Sequence, residues 1–236
     1  VRGAGTLINI AAVLAGSTAG VLVGSRLPER VRLTVLQGLG VFTVFLGVRE
    51  GLLTHNALLM LGALLLGGLV GELLRIEDRL EGVGRRIEAR VSRASRGRES
   101  FSRSRFVEGY VVASLVFCVG PLTILGSIQD GLEGDIDLLA TKSALDGFAA
   151  LAFATTLGWG VAASVLTIGV VQGGLTASAA LLDDVLTDRM IDEMSAVGGL
   201  LLIGIGLRLL DIAEVRVASF LPAIVFAPVL VALFGR

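Results

Sequence analysis

The chain has 236 residues, 54% of them hydrophobic, with a formal net charge of −1 and a mean hydropathy of +0.85. Such hydropathy lies well beyond a soluble domain of this length. A single cysteine, Cys118, excludes an intrachain disulfide and shows none of the spacings of a metal site.

A helix that crosses lipid needs about 20 mostly apolar residues, and the chain holds several such runs. Backbone groups in hydrocarbon must be paired within their own segment, so the runs read as helices. They are continuous rather than alternating, which excludes an outer-membrane barrel. The expected fold is all-α, a polytopic helical transmembrane bundle of about eight spans. No cleavable signal peptide is evident, because a run long enough to span begins at residue 5.

The first span, residues 5–24, places Gly16, Gly20 and Gly24 four apart on one face, a small-residue ridge that admits a close neighbour. Asn9 is its polar exception, readable as an interhelical hydrogen bond or as a substrate contact. A short basic turn at 25–32 leads to a second span, 34–53, which carries Gln37 and Gly40 and ends near Arg49 and Glu50. His55 and Asn56 form a tight connection to a third span, 57–74, and no partner at metal-ligand spacing surrounds the histidine.

Residues 75–105 break the pattern with ten arginines and five acids. Ile76, Leu80, Val83, Ile87 and Val91 recur at helical spacing, so an amphipathic helix should continue the third span, on the membrane surface or against a neighbour. Residues 92–104 read as a polar linker. A cytoplasmic segment attracted to anionic lipid accounts for the charge better than nucleic-acid binding does, since aromatic interleaving is missing apart from Phe101.

The fourth span, 106–126, contains Pro121, which removes a backbone donor and should break the helix near Gly120. The fifth, 138–157, carries Lys142, Ser143 and Asp146. The sixth, 161–182, holds Gln172. A seventh (195–212) and an eighth (217–234) follow the acidic stretch 183–193. A seven-span alternative makes part of 140–182 re-entrant.

Eight spans put the basic turn at 26–32 and the basic segment at 75–105 on one side, which should be cytoplasmic. The acidic stretches at 129–137 and 183–193 then fall opposite, with both termini. A weak internal repeat adds to this. Gly40, Gly47 and Arg49 match Gly199, Gly206 and Arg208, while Gly5, Gly16 and Gly20 match Gly158, Gly169 and Gly173. The two units would have opposite orientation in the membrane, as in the inverted repeats of secondary transporters.

Candidate chemistry concentrates in the fifth span. Asp146 lies about two turns inside it, at roughly 1.5 Å per residue, where a carboxylate normally faces a bundle interior or an aqueous cavity. Lys142 is four residues earlier, so the two side chains share a face and can pair. That pair either locks the bundle or handles an ion or substrate. Lysine occurs once among the 20 basic residues, which composition alone attributes to codon usage. Gln129 and Asp130, with Asp135 and Asp137, sit near the outer mouth, either as cation-attracting oxygens or as a solvated acidic loop. Gln172 and Asn9 could supply neutral ligands within the membrane or simply join helices. No GxSxG, HExxH or P-loop motif occurs, so no enzyme activity, cofactor or metal site is expected.

The stretches GTLINIAAVLAGSTAG (5–20), GELLRIEDRLE (71–81), FCVGPLTILGSIQDGLEGD (117–135), KSALDGFAALAFATTLGWGV (142–161) and QGGLT (172–176) together resemble the YdfK/YqgA family of bacterial inner-membrane proteins, whose function is uncharacterised. The resemblance covers nearly the whole chain. It implies a multi-span membrane protein often guessed to be a transporter, and it carries over no catalytic or binding residue.

The expected organisation is a three-span unit at 1–74, a basic amphipathic segment with linker at 75–105, and a unit of about five spans at 106–236. The expected function is a secondary transporter or permease for a small solute or cation across the bacterial inner membrane. Its pathway would involve Asp146, Lys142, Gln129, Asp130, Gln172 and Asn9, with the helix break at Gly120 and Pro121. Expected partners are membrane lipid, a small cation or solute, and a second copy of the chain, but no nucleic acid. The alternative is a non-transporting scaffold that binds a partner through the basic segment.

Overall fold

A computed structural model describes residues 2–94, 103–118 and 120–234. Twelve α-helices follow in order: α1 (Ala4–Gly24), α2 (Glu29–Gly51), α3 (Ala57–Leu73), α4 (Ile76–Ala94), α5 (Arg103–Cys118), α6 (Pro121–Leu132), α7 (Asp137–Leu157), α8 (Gly160–Ala163), α9 (Val165–Ala177), α10 (Ala179–Val185), α11 (Asp188–Leu209) and α12 (Pro222–Phe234). A 3-10 turn at Val217–Phe220 precedes the last, and no strand occurs among the described residues. Six helical segments are long and apolar enough to cross a membrane; the count rises to eight if each of two bent helix pairs is one span.

Close glycine contacts give the relative directions of the helices. Along α1, Gly16, Gly20 and Gly24 lie against the backbone carbonyls of Gly147, Leu151 and Thr155 in α7, with no room for a β-carbon. Each contact steps four residues along both helices, so α1 and α7 run parallel. Gly40 and Gly47 of α2 meet Gly206 and Gly199 of α11 in the reverse order, so that pair is antiparallel. Gly67 and Gly71 of α3 likewise meet Ala223 and Ser219 in reverse order, setting α3 against the start of α12. With little hydrophobic force between helices in lipid, such backbone approach is what holds spans together.

A parallel α7 requires α5 and α6 to carry the chain from one end of the bundle to the other. They do so with a bend of 63°. The last turn of α6 reaches the first residues of α1: Arg2 donates to the Leu132 carbonyl, and the Gly3 and Gly5 amides donate to Asp130. These directions fit eight crossings. The start of α1, the end of α12 and the 129–137 and 183–193 stretches lie at one end of the bundle, the near end. The 25–28 turn and α4 lie at the far end.

The chemistry of the two bends differs. Between α3 and α4 the chain turns by 60° at Arg75, a non-glycine residue with φ of +51°. The amphipathic α4 then folds back onto the bundle, with Leu80 and Ile87 joining the core. Glu77 fixes it there by accepting the Ala218 amide at 2.8 Å and pairing with Arg208 at 3.4 Å. Part of the polar linker, 95–102, lies outside the described residues. Between α5 and α6, Pro121 occupies the first helical position after Gly120, whose φ of +127° suits glycine.

The two glycine matches fare differently in space. Gly40 meets Gly206 and Gly47 meets Gly199, the reciprocal contacts that a two-fold relation between α2 and α11 produces. The α1 match lacks this likeness: Gly16 and Gly20 are tightly covered, whereas Gly173 has open space where a β-carbon would go.

Candidate functional site

The site begins with a missing proton. In a continuous helix the Phe117 carbonyl would accept from the amide of residue 121, and proline has no amide hydrogen. The freed carbonyl instead accepts from the Lys142 ammonium at 2.7 Å and from the Thr123 hydroxyl at 3.4 Å. One turn along α7, Asp146 closes an ion pair with Lys142 through its Oδ2. Both residues are buried, at 5% and 8% exposure.

The same Oδ2 accepts from the Asn9 Nδ2 of α1 at 3.0 Å. That nitrogen also donates to the Gln172 Oε1 of α9 at 3.2 Å, and both amide side chains are fully buried. Four residues from three helices, with the broken end of α5, thus form one connected group. The parallel contact of α1 with α7 brings Asn9 to Asp146. Residual valence remains, because Asn9 Oδ1 and Gln172 Nε2 are buried without a protein hydrogen-bond partner. The hydroxyls of Thr6 and Thr176, one turn nearer the near end on α1 and α9, are in the same condition.

On the other side of Lys142 and Asp146 lies a cavity of about 510 Å³ between α2, α5–α6 and α7. Its walls are mostly apolar, with Phe42, Phe45 and Phe148 at an exposed rim and Thr123 inside. Arg49 and Glu50 line it as well. Arg49 grips the Glu50 Oε1 at 2.6 Å, while the Glu50 Oε2 is buried without a partner. A largely apolar cleft with a few convergent polar groups is the usual form of a small-molecule site.

The acidic residues near the α6–α7 turn stand apart from this group. Asp130 is fully buried, and its two oxygens take the Gly3 and Gly5 amides at 2.9 and 3.1 Å. It thereby serves the start of α1, where a carboxylate satisfies free donors and complements the helix dipole. Gln129 is exposed on the last turn of α6, a helix that extends beyond the expected span end at 126. Asp135 accepts from the Asp137 amide at 3.0 Å, two residues before α7 begins.

Residue-type reasoning overlooks two features. The Phe117 carbonyl carries no side-chain signal, although a proline four residues later marks it. Glu193 looks like one acid in an acidic stretch, yet it is 1% exposed. It holds the α2–α3 turn, taking the His55 and Asn56 amides at 2.7 and 2.9 Å and the Thr54 hydroxyl at 2.8 Å.

Six to eight apolar spans around a buried ion pair define a multi-pass helical membrane protein. Residues 4–232 match the family described as "Protein of unknown function (DUF554)", and the chain belongs to that family. It is 34% identical over 223 residues to "Uncharacterized protein YqgA" of Escherichia coli (strain K12), covering 94% of each chain. It is 29% identical over 233 residues to "Uncharacterized membrane protein YdfK" of Bacillus subtilis (strain 168), covering 96% of this chain and 95% of the relative. The family resemblance read from the motifs is borne out. No solved structure matches the chain.

Proposed function

We propose that this protein is a secondary transporter or permease for a small solute or cation across the bacterial inner membrane. The carrying observation is the convergence of Asn9, Lys142, Asp146 and Gln172 into one buried group beside a cavity of about 510 Å³. Ionisable groups at such depth normally belong to substrate or ion pathways. A broken helix whose free carbonyl meets the site, and reciprocal packing of α2 on α11, support the same reading. The far end, with the 25–28 turn and α4, is the cytoplasmic one by charge.

The test is flux. Purified protein in lipid vesicles is screened against alkali cations and small organic solutes, with and without a proton gradient. Protein-dependent flux that disappears in Asp146→Asn supports the proposal. A well-folded Asp146→Asn protein with undiminished flux, or the absence of flux for every solute, overturns it.

A further inference from the structure

We infer that the cavity between α2, α5–α6 and α7 binds an amphipathic organic cation that enters from the lipid, its ammonium on Glu50 and its apolar body deeper inside. This inference rests on the transport reading above and names the substrate class. The carrying atom is Glu50 Oε2. Glu50 lines the cavity and is 5% exposed, and among the described residues no donor reaches that oxygen. Its Oε1 takes both contacts from Arg49, at 2.6 and 3.1 Å. An ionised carboxylate only accepts, so the open oxygen calls for a donor brought by a ligand. Leaving such an oxygen buried and unsatisfied is costly.

Charge favours an ammonium over a neutral donor or an anion. Four charged side chains line the cavity: Arg49, Glu50, Lys142 and Asp146. The Arg49 side chain is 60% exposed, and its surroundings outside the protein share in balancing its charge, whereas the other three are between 6% and 11% exposed. The buried part of the lining therefore holds two carboxylates against one ammonium. A bound cation brings that part to balance, and a bound anion would add to its surplus.

Depth separates head from body. Helix α2 reaches the near end at Gly51 and α7 leaves it at Asp137, so Glu50 and Lys142 stand in the near half of the bundle. Leu39 lines the cavity about 16 Å from Glu50 along α2 by helical rise. The walls in that direction are apolar. The mouth lies between α2 and α7, where Phe42, Phe45 and Phe148 are exposed within the spans. Such a face meets lipid rather than water, so a compound partitioned into the bilayer reaches the cavity sideways. Aromatic rings also attract cations. The cavity, about 510 Å³, is of the size that takes a small organic molecule.

The experiment places the protein in nanodiscs of uncharged phosphatidylcholine and titrates n-octylammonium, n-octanol and n-octanoate by calorimetry at neutral pH, with empty nanodiscs subtracted. The three probes share one chain and differ in the head. Octylammonium should bind at least about tenfold more tightly than either of the others, the worth of one hydrogen bond to a charged partner. Glu50→Gln, which keeps an acceptor for Arg49, should lose that preference while binding octanol as before. The wild-type series needs no variant to fold: no saturable octylammonium binding, equal affinity for octanol, or preference for octanoate overturns the inference. So does an octylammonium affinity unchanged in Glu50→Gln. Phe148→Cys in a Cys118→Ala background should not cross-link in the membrane; efficient disulfide formation between two copies would make a second protomer the occupant of the mouth and overturn entry from lipid. Failure of the two readings is distinguishable. Flux of some other solute without octylammonium binding sinks the inference alone, and octylammonium binding without flux of any solute sinks the transport reading alone.

Discussion

Neutralising Asp146 and Lys142 separately and together distinguishes a structural lock from a working site. Asp146→Asn keeps the shape and an acceptor for Asn9, but it leaves the Lys142 ammonium with the Phe117 carbonyl as its remaining strong partner. Removing one member of a buried ion pair costs about 3–5 kcal/mol, and the surviving carbonyl contact argues for the lower part of that range. Exchanging both charges for neutral groups, Asp146→Asn with Lys142→Gln, removes the uncompensated charge and should return stability to within about 1 kcal/mol of wild type. The assay has two readouts on the same preparations: unfolding in mild detergent, and flux in vesicles normalised to folded protein. The single variant should be destabilised and inactive, and the double variant should be stable and still inactive. Flux restored along with stability in the double variant would refute the reasoning, because the charges would then be needed only to hold the bundle. An Asp146→Asn protein as stable as wild type would refute the energetic half.

Three further outcomes follow from the packing. Asp130→Ala removes both acceptors from the start of α1 and should destabilise the protein by about 2–4 kcal/mol, from two charge-assisted bonds, with flux per folded molecule unchanged. Thermal unfolding and flux measured together check this, and loss of flux in folded protein would place Asp130 in the pathway. Gly20→Leu should prevent stable folding, since Gly20 lies against the Leu151 carbonyl, whereas Gly173→Ala should be tolerated in its open surroundings; detergent-stable yield after expression decides between them. Cysteines placed at Glu133 and Asp188 in a Cys118→Ala background should be labelled by an impermeant reagent in intact cells, and one at Arg90 should not. Protection of the cysteine at position 188 would restore the seven-span topology.

Much of the fold was legible because lipid imposes a simple rule on composition. Long apolar runs gave the spans, and the glycine ridge of α1 marked a close contact without naming α7 as the partner. The site was legible residue by residue, since Asn9, Lys142, Asp146 and Gln172 stand out as polar groups inside apolar segments. Their meeting was not, because it depends on the register of α1 against α7 and on the position of α9, which leave no trace in local spacing. Asp130 reads from its acidic neighbours as part of a solvated outer loop, whereas the extra length of α6 buries it against the start of α1. The α3–α4 corner was hidden for a similar reason. The helical periodicity runs on through Arg75, and only the positive φ there redirects the chain.

A comparison among the buried carboxylates gives the strongest reason to look for function at Asp146. Asp130 takes two backbone amides at the start of α1, Glu193 takes two in the α2–α3 turn, and Glu77 takes the Ala218 amide before α12. Backbone donors at helix starts are fixed by the fold, so a carboxylate that serves them gains stability and loses freedom. Asp146 takes no backbone amide. Its partners are an amine and an amide on side chains. Its neighbours also retain unused hydrogen-bonding capacity, and it borders a cavity. A group whose only purpose was to hold helices together would be better served by the arrangement at Asp130 or Glu193. Keeping a buried ion pair in the middle of an apolar span, where each charge is costly, is consistent with a role in ion or substrate handling.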